Sequence, residues 1–482
     1  MPKTLRKLPL IAVLSVQIAI PPAAYAGTTD LPDLGDESAA VITPAEERKL
    51  GEDFMRKARH SLAFVDDPEL NDYIQSLGQK LANSTDSPNK TFRFFFIDDP
   101  SINAFAVPGG FIGVHTGLVL AAQSEAELAS VLAHETAHIT QRHIPRLITE
   151  TQRMSLPAMA AVLAGILLAG SGRQGGEATV ALATATVAQK GLNYTRAFEE
   201  ESDRIGMTIL AKAGFDPGAM PAFFERMQSL NRHNETDLPE FLRTHPVTTS
   251  RIADARNRAE QYPRRPRPDS SEFHHARAKI RAQAKGEPAE IVRGFEANLA
   301  QGRYRDADAE RYGYALALQR NKQFKEARKE IQKLIGRHPE KAAYRIAQAE
   351  IEMGAGRYEE ALAIYAAAHK KQPAYLPLTR SYAGALLAGG RSRVAMELLK
   401  PAVRRQPDDP ALHKMLAEAA GGAGAKLEAH QALAEHYYLS GDPNAAIDQL
   451  QIATRYAGDN FYLQSSLEAR IQAIKEEMAL YR

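Results

Sequence analysis

The C-terminal part of the chain repeats every 34 residues, and this period constrains the fold more than any other feature of the sequence. Three alanines and three prolines keep this spacing: Ala327, Ala361 and Ala395, and Pro339, Pro373 and Pro407. Small residues where helices cross and a proline closing each unit are typical of stacked helix pairs, because no single pair can bury its own apolar face. We therefore expect an all-α superhelix in this region.

The spacing and composition are those of the tetratricopeptide repeat, but the pattern changes towards the C terminus. The third unit lacks, at Ser392, the aromatic residue that the first two units carry, and Ala446 of the next recognisable unit lies 51 residues after Ala395. One extra helix or an irregular unit is predicted between them, near residues 421–424. The concave face of such a superhelix is expected to bind peptides or partner proteins, the alternative being a structural cap.

The first 26 residues predict a cleavable secretory signal. Lys3, Arg6 and Lys7 precede an apolar run from Leu8 to Ile20, and Ala24-Tyr25-Ala26 has the small-x-small pattern of a cleavage site. The run is shorter than the about 17–25 residues that a membrane-spanning helix needs, which disfavours the alternative of an uncleaved anchor. We therefore expect an exported, periplasmic protein, since the leader is of the bacterial type.

Composition and charge exclude several classes of protein. The chain has no cysteine, so disulfides, thiolate nucleophiles and cysteine-ligated zinc are absent, and any metal must be held by histidine and carboxylate groups. A formal net charge of +2 does not fit a nucleic-acid binder. With 44% hydrophobic and 24% charged residues in a chain of 482, two or three globular domains are expected.

The region before the repeats mixes helical and strand patterns. Helical spacing predicts helices over residues 45–59 and 67–82, whereas residues 91–97 (TFRFFFI) are rich in strand formers. Pro108-Gly109-Gly110 separates two short apolar stretches and predicts a turn between strands. The expected fold class is therefore α+β and mostly helical, with a small mixed sheet in the N-terminal domain.

One predicted helix carries the residues that indicate chemistry. A capping box formed by Ser124 and Glu127 predicts a helix for the segment ELASVLAHETAHITQRH. His134 and His138 are four residues apart, so both imidazoles lie on one face and can share a metal ion. Glu135 is placed to act as a general base on a metal-bound water, which favours a catalytic zinc site over a structural one.

A catalytic zinc ion needs a third protein ligand, which must come from elsewhere in the chain. Glu199 and Asp203 lie four residues apart on another predicted helix, so one can bind the metal while the other orients a ligand imidazole. Glu199 is the expected ligand, although Glu200 and Glu201 compete with it on spacing alone. His143 lies about 140° round the helix from His138, and a solvated or capping role is expected for it.

Four stretches of the sequence together resemble one family of metallopeptidases. They are HETAH at 134–138, Glu199-x-x-x-Asp203, NAFAVPGG at 103–110 and THP at 244–246. They are similar to the motifs of the gluzincin peptidases that include HtpX and the CAAX prenyl proteases. The resemblance implies a zincin-type fold with one zinc ion per chain, bound by His134, His138 and Glu199, with Glu135 as the base.

His245 is a candidate for a regulatory role. The following Pro246 disfavours helical geometry at His245, so its side chain is expected to lie in a loop or at a helix start. The resemblance implies that it can approach the metal as a fourth ligand and keep the enzyme latent until the loop moves. An ordinary capping or surface histidine is the alternative.

The leader and the repeats narrow the resemblance to a periplasmic member of this family. It implies a zinc endopeptidase with chaperone-like activity that degrades misfolded or stalled exported proteins and assists outer-membrane β-barrel assembly. Unfolded or misassembled outer-membrane proteins are the implied substrates, and the β-barrel assembly machinery is the implied partner of the repeats. The alternative is a non-proteolytic binding or chaperone scaffold with a latent zinc site.

The sequence divides the chain into four expected parts. They are a signal peptide (1–26), a flexible segment (27–44), a zinc metallopeptidase domain (45–268) and a linker helix with the tetratricopeptide domain (269–482); the last junction falls in the Pro- and Arg-rich stretch YPRRPRP. Residues 156–169 form a run of small and apolar side chains that is too short to span a bilayer. This run is interpreted as a buried helix, a lid over the cleft or a peripheral membrane contact.

Overall fold

The computed structural model describes residues 42–86, 91–151, 196–233, 239–263 and 267–479. The predicted leader and the apolar run at 156–169 lie outside these ranges. The N-terminal elements, in chain order, are α1 (Pro44–Ser61), α2 (Pro68–Ala82), β1 (Arg93–Ile97), β2 (Ala104–Val107), β3 (Phe111–His115), α3 (Thr116–Ala121), α4 (Glu125–Thr140), α5 (His143–Thr151), α6 (Arg196–Lys212), α7 (Ala219–His233), α8 (Glu240–Thr244) and α9 (Thr249–Ala259).

Side-chain caps fix where the first helices begin. Thr43 forms a capping box with Glu46 at the start of α1, and Asp67 accepts the backbone amides of Glu69 and Leu70 at the start of α2. In both helices a proline occupies the first turn, where a missing N–H costs nothing. The two helices predicted here are therefore confirmed to within two residues at each end.

The three strands form a small mixed sheet in the order β1-β3-β2. β1 pairs with β3 in parallel, and β2 pairs with β3 in an antiparallel hairpin in which Val107 faces Phe111. The hairpin turn is Pro108-Gly109-Gly110, as the sequence predicts. β2 consequently lies at an edge of this sheet, and it packs against α4.

The central helix α4 is buried along nearly its whole length. At its start Ser124 accepts the amide of Glu127, but Glu127 reaches back to the amide of Gln123 rather than to that of Ser124. α6 packs closely along α4, since a Cβ atom at Gly206 would lie only 3.0 Å from the backbone nitrogen of His134. This close approach brings the side chains of α6 next to the two histidines of α4.

The remaining helices follow one another with short turns. They are α10 (Ser271–Gln283), α11 (Pro288–Gln301), α12 (Ala307–Arg320), α13 (Phe324–Arg337), α14 (Ala342–Gly354), α15 (Tyr358–Lys371), α16 (Leu376–Ala388), α17 (Ser392–Arg405), α18 (Pro410–Gly422), α19 (Lys426–Leu439), α20 (Pro443–Tyr456) and α21 (Phe461–Ala479). The N-terminal α+β part is thus followed by all-α repeats, which confirms the predicted fold class. No helix in the described ranges has both the length and the apolar character of a membrane span.

The 34-residue period continues further than the alanines indicate. A residue with positive φ ends the same turn in successive units: Lys322, Gly356, Gly390, Gly424 and Gly458. Glycine suits this position because L side chains rarely adopt such a φ. The extra helix predicted before Ala446 is α19, whose Ala429 keeps the 34-residue spacing from Ala395, so the series itself stays regular.

The repeats contact the N-terminal part near both of their ends. Close to their start, Lys279 of α10 forms ion pairs with Asp67 (2.9 Å) and Glu69 at the beginning of α2. Close to their end, the Arg59 guanidinium of α1 donates a hydrogen bond of 3.3 Å to the Ser440 hydroxyl after α19. The superhelix therefore folds back over α1 and α2.

Candidate metal centre

The two histidines of α4 lie side by side across one helical turn. Their Nε2 atoms are 3.0 Å apart, and both side chains are buried. The i, i+4 spacing accounts for this pairing, since each side chain projects from the same helix face. His134 and His138 thus present two nitrogen lone-pair positions towards one small volume.

α6 supplies the carboxylate that completes this volume. Glu199 Oε1 lies 3.4 Å from His138 Nε2, and Glu199 Oε2 lies 3.5 Å from His134 Nε2. Its neighbours do not reach this volume: Glu200 pairs with Arg204 on the same helix, and Glu201 pairs with Arg146 of α5. The structure therefore brings Glu199, and neither of the two competing glutamates, to the histidines.

His245 approaches the same volume from the end of α8. It is the C-cap residue of this short helix, outside helical geometry as its position before Pro246 predicts. Its Nδ1 atom lies 3.0 Å from Glu199 Oε1 and 3.4 Å from His134 Nε2, and the ring is buried.

The four side chains fit a tetrahedral metal ion. Ligand atoms of His134, His138, Glu199 and His245 all lie within 4.8 Å of one another. For imidazole nitrogens and a carboxylate oxygen at about 2.1 Å from a tetrahedral ion, neighbouring ligand atoms are about 3.4 Å apart. Four of these separations, at 3.0–3.5 Å, are close to this value. Three imidazoles and one carboxylate are a donor set that suits a divalent cation such as zinc, and a bound cation would pair the buried charge of the carboxylate.

Glu135 lies beside this cluster without belonging to it. Its carboxylate is fully buried, and Oε1 is 3.4 Å from His245 Nε2. Burial raises the pKa of Glu135 above its usual value. A carboxylate with a raised pKa is suited to taking up a proton and releasing it again.

A second layer of charged groups holds the cluster in place. Asp203 Oδ1 lies 3.0 Å from His134 Nδ1, on the side of the ring away from the cluster. Arg251 of α9 donates two hydrogen bonds to Asp203, of 2.7 and 2.8 Å, and its third nitrogen lies 2.8 Å from Glu199 Oε2. Burial opposes ionisation of Asp203, but the bonds from Arg251 and His134 hold the pKa of its carboxyl below the usual value.

Arg251 is not among the residues predicted from the sequence, and the structure buries it, leaving 2% exposed. It is one of several arginines of α9, and Arg256 and Arg258 of the same helix pair with acids at the surface. No sequence signal separates the buried arginine from the exposed ones.

The expectation for His143 was wrong. α4 ends at Thr140, and Arg142 adopts a positive φ of 53°, so the chain turns and α5 begins at His143. The His143 ring is buried, its Nδ1 lies 2.8 Å from His138 Nδ1, and burial lowers its pKa to about 4. The predicted solvated or capping position assumed an unbroken helix, which the structure does not have.

Comparisons with known proteins agree with this arrangement. The sequence pattern of Peptidase family M48 matches residues 68–259, and a Tetratricopeptide repeat pattern matches residues 352–419. The "Beta-barrel assembly-enhancing protease" of Escherichia coli (strain K12) is 32% identical over 468 residues, covering 97% of this chain and 95% of the relative. The "Putative beta-barrel assembly-enhancing protease" of Vibrio cholerae is 35% identical, covering 94% of each chain.

A more distant relative shares only part of the chain. The "Mitochondrial metalloendopeptidase OMA1" of Arabidopsis thaliana is 29% identical over 237 residues, which are 46% of this chain. The fold and the buried cluster define a metalloendopeptidase with an attached superhelix of tetratricopeptide repeats. The chain belongs to peptidase family M48, and the two beta-barrel assembly-enhancing proteases align with at least 94% of its length. Membership of this family confirms the resemblance to metallopeptidases that the four sequence motifs indicate.

Proposed function

We propose that this chain is a zinc-dependent endopeptidase of the bacterial periplasm with chaperone-like activity, which degrades misfolded or stalled exported proteins and assists outer-membrane β-barrel assembly. The observation that carries the proposal is the buried cluster of His134, His138, Glu199 and His245 with Glu135 beside it. The leader pattern of residues 1–26 supports export, and the names of the full-length relatives support a role with β-barrel proteins.

The chemistry follows from the positions of the side chains. His134, His138 and Glu199 would hold the zinc ion, which when bound acidifies a water molecule and polarises the peptide carbonyl. Glu135 accepts the proton of the attacking water and returns it to the amine that leaves. Asp203 keeps the proton of His134 on Nδ1, so that Nε2 faces the cluster. Arg251 fixes both Asp203 and one oxygen of Glu199.

The edge strand offers a place for the substrate. β2 has one neighbour in the described sheet and packs against α4, the helix that carries Glu135. An extended peptide that pairs with β2 would pass along this helix, with affinity from backbone hydrogen bonds and little dependence on sequence. A site of this kind favours unfolded segments, because most strands of a folded protein already have their backbone groups paired within a sheet.

His245 supplies a resting state in this proposal. Its ring nitrogen lies among the ligand atoms, and its bond to Glu199 holds the end of α8 against the cluster. An imidazole in the fourth position excludes the attacking water and keeps the enzyme latent. Movement of the loop that follows α8 would open the position.

Two neighbouring substitutions test the proposal. Glu135→Gln should lower cleavage of casein and of an unfolded outer-membrane protein by about 10²–10⁴-fold while zinc content stays at one per chain, because the base is not a ligand. His134→Ala should lose zinc and cleavage together. Zinc is measured by elemental analysis of the purified full-length protein.

Glu199→Gln tests the third ligand on α6, and Glu200→Gln is its matched control. The first should release zinc, whereas the second should change neither zinc content nor cleavage, because Glu200 pairs with Arg204 at the surface. Equal zinc loss in Glu135→Gln and His134→Ala would contradict the assigned roles. If neither the zinc-loaded wild type nor a zinc-loaded His245→Ala variant cleaves any substrate, the non-proteolytic scaffold is favoured instead.

A further inference from the structure

His143 is a buried histidine that the proposed reaction does not use. Its ring is enclosed between α4 and α6, and it stacks on Phe198 with ring centroids 4.5 Å apart and an angle of 14° between the planes. The Ser202 hydroxyl lies 3.3 Å from its Nδ1 atom, and Glu201 Oε2 lies 3.2 Å from its Nε2 atom. α6 therefore fixes the position of the ring on three sides.

The fixed ring points at one ligand only. His143 Nδ1 is 2.8 Å from Nδ1 of His138, on the side of the His138 ring opposite the cluster. His134 has a different partner at the equivalent nitrogen, the Asp203 carboxylate at 3.0 Å. The two imidazoles of the HETAH segment thus each have an outer partner, and the two partners are of different chemistry.

The direction of the hydrogen bonds follows from the proposed ligand role of His138. If Nε2 of a neutral His138 binds metal, its ring proton is on Nδ1, which donates to His143 Nδ1. His143 then carries its own proton on Nε2, which donates to Glu201. Arg146 in turn donates to the same Glu201 oxygen at 2.9 Å. With these tautomers each ring N–H of the two histidines faces an acceptor, and Glu201 Oε2 accepts from both His143 and Arg146.

We infer that His143 is the positioning residue of His138, and that with Glu201 it sets the orientation and tautomer of this ligand as Asp203 does for His134. The break in the helix at Arg142 is what makes this possible, because an unbroken α4 would carry residue 143 away from His138. Outer partners of metal-bound histidines typically change metal affinity by about 10–100-fold when removed. The inference rests on the proposed function, since it takes His138 as a ligand.

Two substitutions of His143 separate positioning from packing. His143→Phe keeps a flat ring that can stack on Phe198, but it has no atom that accepts the proton of His138. His143→Asn loses the stacking area but retains an acceptor oxygen at a similar distance from the backbone. Zinc affinity of the full-length protein is measured by competition with a chromophoric chelator, and cleavage is measured at saturating zinc.

His143→Phe should weaken zinc binding by about 10–100-fold and lower kcat at saturating zinc, whereas His143→Asn should recover a large part of the affinity. His338→Phe, a substitution of a half-exposed histidine in the repeats, should leave zinc affinity unchanged. A His143→Phe variant with the zinc affinity of the wild type would overturn the inference. So would a His143→Asn variant as weak as His143→Phe, because an acceptor restored beside His138 would then restore no affinity.

The failure of this inference can be told apart from the failure of the proposed function. His138→Ala is measured in the same chelator competition. If it binds zinc as the wild type does, His138 is not a ligand and the metal centre itself is assigned wrongly. If it loses zinc while His143→Phe keeps the wild-type affinity, the metal centre stands and only the role of His143 falls.

Discussion

At the scale of single residues, one arginine joins the ligand set to its surroundings. The Arg251 guanidinium contacts both Asp203, which orients His134, and Glu199, which lies between the histidines. It also donates to the Pro246 carbonyl, one residue after His245. Removing a partner from a buried charged network of this kind costs about 3–5 kcal/mol. Arg251 therefore ties the loop that carries His245 to the two acids of α6.

His245→Ala is the substitution that reports most directly on the resting state. If His245 fills the fourth position, its removal should raise the cleavage of unfolded substrate several-fold per bound zinc and increase self-cleavage, while zinc content changes little because three ligands persist. Cleavage rate and zinc content are measured on the same preparation. A histidine that positions substrate would instead give slower cleavage on removal, and an essential ligand would give loss of zinc.

The sequence predicts some of these residues and not others, for physical reasons. His134 and His138 were predictable because helical geometry alone brings residues four apart together. The position of Glu199 beside them was expected from a motif, but spacing cannot separate it from Glu200 and Glu201, since all three lie within one helical turn. Arg251 reaches the cluster only through the packing of α9 on α6, which no local pattern records.

At the scale of elements, the centre depends on how α4 ends and how closely α6 approaches it. Arg142 adopts a positive φ, which is uncommon for arginine, and its side chain donates to the Ile42 carbonyl (2.6 Å) and to Glu47 of α1 (3.1 Å). These contacts stabilise the turn between α4 and α5. The sequence does carry a signal for this turn, which the prediction of an unbroken helix did not use: Pro145 has no N–H to bond the Gln141 carbonyl and so favours a helix end before it.

Gly206→Ala tests the close approach of α6 to α4. The added Cβ would lie 3.0 and 3.1 Å from the backbone of His134, so the two helices must separate slightly. We expect the free energy of unfolding in urea to fall by about 1–3 kcal/mol and zinc affinity to fall with it. Gly294→Ala, in α11 where no atom lies within 4 Å of the new Cβ, should instead raise stability by up to about 1 kcal/mol. A rise in both variants would show that α6 has room.

At the scale of the whole molecule, α10 packs into both the core of the N-terminal part and the core of the first repeats. Phe273, Ala276 and Ile280 join the apolar core of the N-terminal part, whereas Ala278 and Ala282 join the core of the first repeats. Lys279 adds a buried ion pair with Asp67 and Glu69, at the start of α2. The Pro- and Arg-rich stretch before α10 marks the connection in sequence, but the pattern of α10 alone does not reveal that both of its faces are buried.

Because both faces of α10 are buried, the stability of an N-terminal fragment should depend on whether it includes α10. A fragment that ends at residue 266 lacks Phe273 and Lys279, so it exposes the core against which α10 packs and leaves the acids of α2 without their cation. A fragment that ends at residue 286 keeps both. We expect the longer fragment to be soluble, to unfold cooperatively and to bind zinc, and the shorter one to aggregate or to unfold at a lower urea concentration, because burying the Phe273 side chain alone contributes about 1.5–3 kcal/mol.

The complementary fragment, 269–482, should remain helical and unfold cooperatively, because each repeat contacts mainly its neighbours. Circular dichroism and urea titration of the three fragments check both expectations. Equal stability of the two N-terminal fragments would place the boundary at 268 and make α10 part of the repeats alone. A repeat fragment without a cooperative transition would mean that the superhelix depends on α1 and α2, which it contacts through Ser440 and Lys279.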